Sequence, residues 1–112
     1  MKIAFTTKGI EWESLMDPRF GRTEYILTYD EETKTLSSVD NTDIEGVAHG
    51  AGTKTARVLF DIKPDVLITG NGPGENAAAV LTQFPLKIYI GAGGMTVKTA
   101  YDAYLKQELK EF

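Results

Sequence analysis

A chain of 112 residues, 42% of them apolar, can bury one ordinary core but not two, so residues 1–112 are read as a single domain. Its formal net charge of −4 lacks the general basic field that nucleic acid phosphates or an anionic membrane surface would select, and neither is expected as a partner. Cysteine is absent, which excludes disulfides, thiolate nucleophiles, zinc fingers and iron–sulfur clusters held by the chain's own sulfur.

The opening Met1-Lys2-Ile3-Ala4-Phe5 is too short an apolar stretch for a signal sequence, and no run approaches the ~20 apolar residues of a membrane-spanning helix. A cytoplasmic location is therefore expected. Lys2 to Thr6 is a compact run that favours strand and suits the centre of a sheet. Residues 8–23 contain Gly9, Pro18 and Gly21 without sustained periodicity and read as a loop, with Trp12 and Met16 as a packing lid. Tyr25, Leu27 and Tyr29 alternate with Ile26 and Thr28, a period of two. The charged turn from Asp30 to Lys34 then leads to a return strand over Leu36 to Val39, completing a hairpin.

From Thr53 the period lengthens. Ala56, Leu59 and Phe60 share a helix face that ends at Lys63-Pro64. Val66 to Thr69 is a short buried strand. Ala77, Val80, Leu81 and Phe84 fall at helical spacing before Pro85, and Lys87 to Ile90 is the next strand, broken by Gly91 to Gly94. Thr96 is placed to cap a last helix whose Val97, Ala100, Tyr101, Tyr104 and Leu105 share one face. The order β-β-β-α-β-α-β-α implies parallel strands with right-handed crossovers in the second half and an antiparallel hairpin in the first. The expectation is an α/β fold, a mixed five-stranded sheet covered by about three helices on both faces.

Short connections place the glycine-rich segments at one sheet edge. Gly70-Asn71-Gly72-Pro73-Gly74 leaves the strand at Val66 to Thr69, and His49-Gly50-Ala51-Gly52 leads into the first helix. Arg19-Phe20-Gly21-Arg22 precedes the hairpin, and Gly91-Ala92-Gly93-Gly94 follows the last strand. Open α/β sheets bind ligands beyond the carboxyl ends of their strands, where helix N-termini and arginine donors suit an anion. The candidate ligand-binding residues are Arg19, Phe20, Gly21, Arg22, His49, Gly50, Gly52, Gly70, Asn71, Gly72, Gly74 and Gly91. The glycine spacing matches neither a dinucleotide fingerprint nor a Walker A loop. Only one histidine could serve as a general base, no nucleophile stands beside it, and no catalytic residue is assigned.

Taken together, Asp17-Pro18-Arg19-Phe20-Gly21-Arg22, His49-Gly50-Ala51-Gly52 and Gly70-Asn71-Gly72-Pro73-Gly74-Glu75-Asn76-Ala77 resemble the dinitrogenase iron–molybdenum cofactor biosynthesis, or NifX-like, family, over Lys2 to about Leu109. The resemblance implies a ribonuclease H-like motif fold with sheet order 3-2-1-4-5, strand 2 antiparallel. It also implies a non-catalytic accessory protein that binds or carries iron–sulfur or iron–molybdenum cluster species alongside a cofactor-assembly protein partner. Thr23 follows Arg22 and His49 is the sole histidine, so the chain is expected to have no intrinsic cofactor. A transient preformed iron–molybdenum or iron–sulfur cluster is the expected cargo, with His49 as the one candidate metal ligand. The alternatives are a small anionic ligand, bound by a sensor or an enzyme, and a protein–protein adaptor.

Overall fold

The computed structural model of the chain describes residues 1–42 and 51–112. Strands β1 (Lys2–Thr7), β2 (Tyr25–Asp30) and β3 (Thr35–Asp40) are followed by α1 (Ala51–Ile62), β4 (Val66–Ile68), α2 (Glu75–Leu81), β5 (Lys87–Ile90), α3 (Val97–Leu105) and β6 (Lys110–Glu111). All six strands form one sheet in the order β3-β2-β1-β4-β5-β6. β1 pairs antiparallel with β2 and parallel with β4, and β5 continues the parallel set. The mixed α/β sheet with the 3-2-1-4-5 order and three helices is thus the observed fold. β6, antiparallel to β5, adds a sixth strand that the sequence reading lacked.

Strand alternation sorts the core into two layers, because successive side chains point to opposite sheet faces. Ile3, Phe5, Leu27, Val66 and Ile68 face α3, where Met16, Val97 and Ala100 meet them. Ala4, Ile26, Leu67 and Ile88 face α1 and α2, which supply Ala56, Leu59, Ala77 and Leu81. Each layer follows from the helical spacing: Thr55, Ala56 and Leu59 lie on one side of α1, and Val97, Ala100 and Ala103 on one side of α3.

The helix ends are locally encoded. Lys63 takes a left-handed φ of 56°, and its N–H bonds to the Leu59 carbonyl, 2.8 Å away, closing α1 just before Pro64. α2 ends three residues short of the apolar face that runs to Phe84. The N–H groups of Gln83 and Phe84 bond back three residues, to Val80 and Leu81, because a residue preceding proline is pushed out of the α-helical region. At α3, Thr96 Oγ1 accepts the Thr99 N–H at 3.2 Å. The loop of residues 8–16 adds two carbonyl acceptors, Ser14 for the Val97 N–H and Trp12 for the Lys98 N–H, each at 2.9 Å. That loop is ordered packing structure: Met16 is buried and bridges to Thr7, and Leu15 bridges to Thr96. Among the described residues no helix is long and apolar enough to cross a membrane.

Candidate functional site at the carboxyl edge of the sheet

The centre of the site is the turn after Asp17. Its carboxylate has no solvent exposure and accepts hydrogen bonds from the backbone N–H of Arg19, from Arg19 Nε and Nη2, each at 3.0 Å, and from the Glu24 N–H at 3.2 Å. Burial pushes the Asp17 pKa up, but the fork from Arg19 and the two backbone donors outweigh it and hold the acid below its ordinary value. Arg19 thus gives one edge of its guanidinium to an internal carboxylate, while its side chain remains 51% exposed.

The next residues are fixed from the other side. Asn41, at the end of β3, donates through Nδ2 to the Thr23 carbonyl and to Thr55 Oγ1, both at 3.1 Å, and Thr55 Oγ1 donates to the Gly21 carbonyl at 2.7 Å. Thr23, Asn41 and Thr55 are all buried. This chain of polar bonds ties β3 and α1 to the Phe20-Gly21-Arg22 turn. Phe20 is only 4% exposed and packs into the layer beneath α1, so its ring belongs to the core.

Bare backbone fills the contacts that remain. A Cβ at Gly21 would lie 2.8 Å from the Gly52 nitrogen, and one at Gly70 would lie 2.6 Å from Pro18 Cα. The Asn71 N–H donates to the Pro18 carbonyl at 2.8 Å, and the Gly91 N–H to the Gly70 carbonyl at 2.9 Å. A Cβ at Gly72 would collide with the ring of Phe112, whereas one at Gly74 would meet nothing within 4 Å. Beside Gly74 opens a cleft of about 280 Å³, lined by Gly52 and Thr53 of α1 and by Gly74, Glu75, Asn76 and Ala77.

The structure therefore brings together Arg19, Phe20, Gly21, Gly52, Gly70 and Asn71 through these contacts, with Gly74 on the cleft and Gly91 bonded to Gly70. Arg22, one residue beyond Gly21, is partly buried. His49 and Gly50 lie outside the described residues. Asp17, Asn41 and Thr55 were absent from the sequence-based site. Asp17 carried a signal nonetheless, since an aspartate before Pro-Arg is placed to accept the N–H two residues on. Asn41 and Thr55 carried none, because their pairing is tertiary.

The donor chemistry decides what the edge could hold. The chain has no cysteine, and among the described residues no group of three or more histidine, aspartate or glutamate side chains could hold a metal ion. These residues do not fit a cluster ligated by the protein.

Comparison with known proteins fits the same picture. The apo form of the orange protein from Desulfovibrio gigas is 32% identical, with a TM-score of 0.91 over 99% of this chain and 92% of that one. An NMR structure of a Thermotoga protein, provisionally assigned as NifB and placed in the DUF35 family, is 34% identical, with a TM-score of 0.82 over 98% of this chain and 91% of that one. The crystal structure of PH0822, 21% identical with a TM-score of 0.73, shares the fold. No curated protein sequence matches the chain. A family model described as dinitrogenase iron–molybdenum cofactor matches residues 1–107, a span that includes the Asp17 turn, the α1 N-terminus and the Gly70 loop. With nearly its whole length matched in this way, the chain belongs to the dinitrogenase iron–molybdenum cofactor family.

Proposed function

We propose that the protein is a non-catalytic carrier that accepts a preformed, sulfide-rich metallocluster anion at the carboxyl edge of its sheet. The observation that carries this reading is the cleft between α1 and the Gly74 to Ala77 segment, set against a turn whose position is fixed by Asp17, Asn41 and Thr55. Cluster species are the cargo because of the family, and a preformed anion is the form of cargo because no thiolate is available to build one. The cluster's own sulfides and terminal ligands complete the metal coordination. The protein contributes backbone N–H groups and the guanidinium of Arg22, which recognise charge and shape without a metal–protein bond. Glu75 at the cleft opposes an anion, so the arginines on the facing turn set the sign of the site. A carrier needs reversible binding and no proton transfer, which agrees with a sequence in which no nucleophile stands beside a base.

Anaerobic gel filtration after incubation with a synthetic thiolate-capped iron–sulfur cluster anion, followed by iron analysis and visible absorbance, tests the proposal. Wild type should co-elute with cluster, and Arg22→Ala should retain about tenfold less, the scale of one charge-assisted contact. Retention independent of Arg22 and of Gly52→Val would overturn the location. Stoichiometric brown protein formed from iron and sulfide salts alone would overturn the claim that the cluster must arrive assembled. His49→Ala in the same assay reports whether the histidine adds a metal ligand.

A further inference from the structure

The two walls of the cleft are held very differently. On the α1 side, Gly52 is pressed against the Gly21 backbone, with no room for even a methyl group, and Thr55 one turn on is bonded to the Gly21 carbonyl. On the other side, the loop from Gly70 to Gly74 is tied at its start by the Asn71 N–H to the Pro18 carbonyl, and Gly74 at its end has open space around it. Between those points the loop touches one aromatic ring, that of Phe112, which lies where a Gly72 side chain would be. Phe112 itself is weakly held. It is 56% exposed, its N–H donates to the Ile88 carbonyl at 2.7 Å, and it follows β6, a strand of two exposed residues at the sheet edge.

We infer that Phe112 is a releasable latch on the Gly70 to Gly74 loop, and that its release widens the cleft to admit cargo larger than the resting cavity. The inference deepens the carrier reading and rests on it for the identity of the cargo. Its physical basis is the contrast in local stability. A two-residue edge strand opens at a small fraction of the global unfolding free energy, whereas a wall clamped backbone to backbone moves only with the core. Once the ring lifts from Gly72, the only restraint printed on the loop's face by a side chain is gone, and the segment next to the open space at Gly74 is free to swing. Closing the ring again over Gly72 would hold a bound cluster against escape.

Two substitutions release the latch from opposite sides. Phe112→Ala removes a half-exposed ring at little cost to folding, and Gly72→Ala places a methyl group where the ring sits. Hydrogen exchange without cargo should show the amides from Gly72 to Ala77 exchanging about tenfold faster in both variants, with those of β1 unchanged. Stopped-flow mixing with the synthetic iron–sulfur cluster anion should show association and dissociation both accelerated, with the equilibrium affinity changed less than either rate. Unchanged loop exchange in Phe112→Ala, while wild type binds cluster normally, overturns the latch and leaves the carrier reading standing. Faster exchange with unchanged binding rates also overturns it. If none of the three proteins takes up cluster, the carrier reading falls, and coupling of Phe112 to the loop is judged on exchange alone.

Discussion

The turn from Asp17 to Thr23 and the loop from Gly70 to Gly74 sit side by side at the same sheet edge and are stabilised by opposite means. The first is directional: a buried carboxylate gathers donors from Arg19 and Glu24, and the Asn41–Thr55 pair fastens the Gly21 carbonyl. The second is steric, with Gly70 seated on Pro18 and Gly72 under a ring. Directional bonds fix where a backbone group points and fail one at a time, by titration or truncation. Steric seating sets only how close two segments come, and it fails abruptly when an atom is added. A site that must both aim its donors and adjust its width has a use for one wall of each kind.

The largest effect should come from breaking the steric contact. In Gly70→Val the new Cβ would lie 2.6 Å from Pro18 Cα and 2.9 Å from the Pro18 carbonyl oxygen, all backbone. Neither segment can yield without disturbing β4 or the Asp17 turn, so denaturant unfolding should show a loss of about 3 kcal/mol. A loss near zero would mean that the two segments are not seated on one another.

The directional side should respond more gently and with a pH signature. Asp17→Asn keeps the shape of the side chain but removes the charge that Arg19 and two backbone N–H groups share, for an expected loss of about 2 kcal/mol at neutral pH. The folded pKa of Asp17 lies below its unfolded value, so its contribution is complete above the ordinary carboxylate pKa and fades as pH falls through the lowered one. The gap between wild type and variant should therefore close below about pH 4. A gap that stays constant down to pH 2 would show that the amide substitution acts through packing. Thr55→Val is the smallest test. It leaves the Gly21 carbonyl and one Asn41 donor without their partner inside the core, at about 1.5 kcal/mol. Because Gly21 is also clamped by Gly52, cargo retention should fall less than in Gly52→Val, and a larger fall would make the hydroxyl the dominant restraint.

The same division explains what the amino-acid sequence reveals. Ile3, Phe5, Leu27 and Ile68 announce their strands by alternation, and Ala56, Leu59, Val97 and Ala100 announce their helices by spacing, because each pattern reflects a repeating burial against one neighbour. Connection lengths then carry the glycine segments to one edge. β6 was not legible: Lys110 and Glu111 are charged and exposed, and the strand exists only because β5 offers an open edge. The loop of residues 8–16 looked irregular because its order comes from capping α3 and bridging to Thr7 and Thr96, not from its own periodicity. Arg19 was expected to face a ligand, and its bond to Asp17 makes it also a structural cation. Phe20 was placed in the site by its neighbours in sequence, yet the layer under α1 buries its ring. Local rules see neighbours in the chain, while the site is assembled from contacts such as Asn41 to Thr55 that no local rule contains.

The aromatic packing beneath α3 has an optical consequence. Trp12 is the sole tryptophan, and its ring lies 4.9 Å from that of Tyr29, 5.7 Å from that of Tyr101 and 6.3 Å from that of Phe5. Light absorbed by the two tyrosines is passed to the indole at such separations, so the chain's emission comes from one spot on the face opposite α1 and α2. That spot reports on α3 and the loop of residues 8–16, whereas the cleft between α1 and α2 lies across the sheet. Quenching of the indole by a bound, visibly absorbing cluster would then act through the thickness of the sheet, which turns the emission into a ruler for where such a cargo settles.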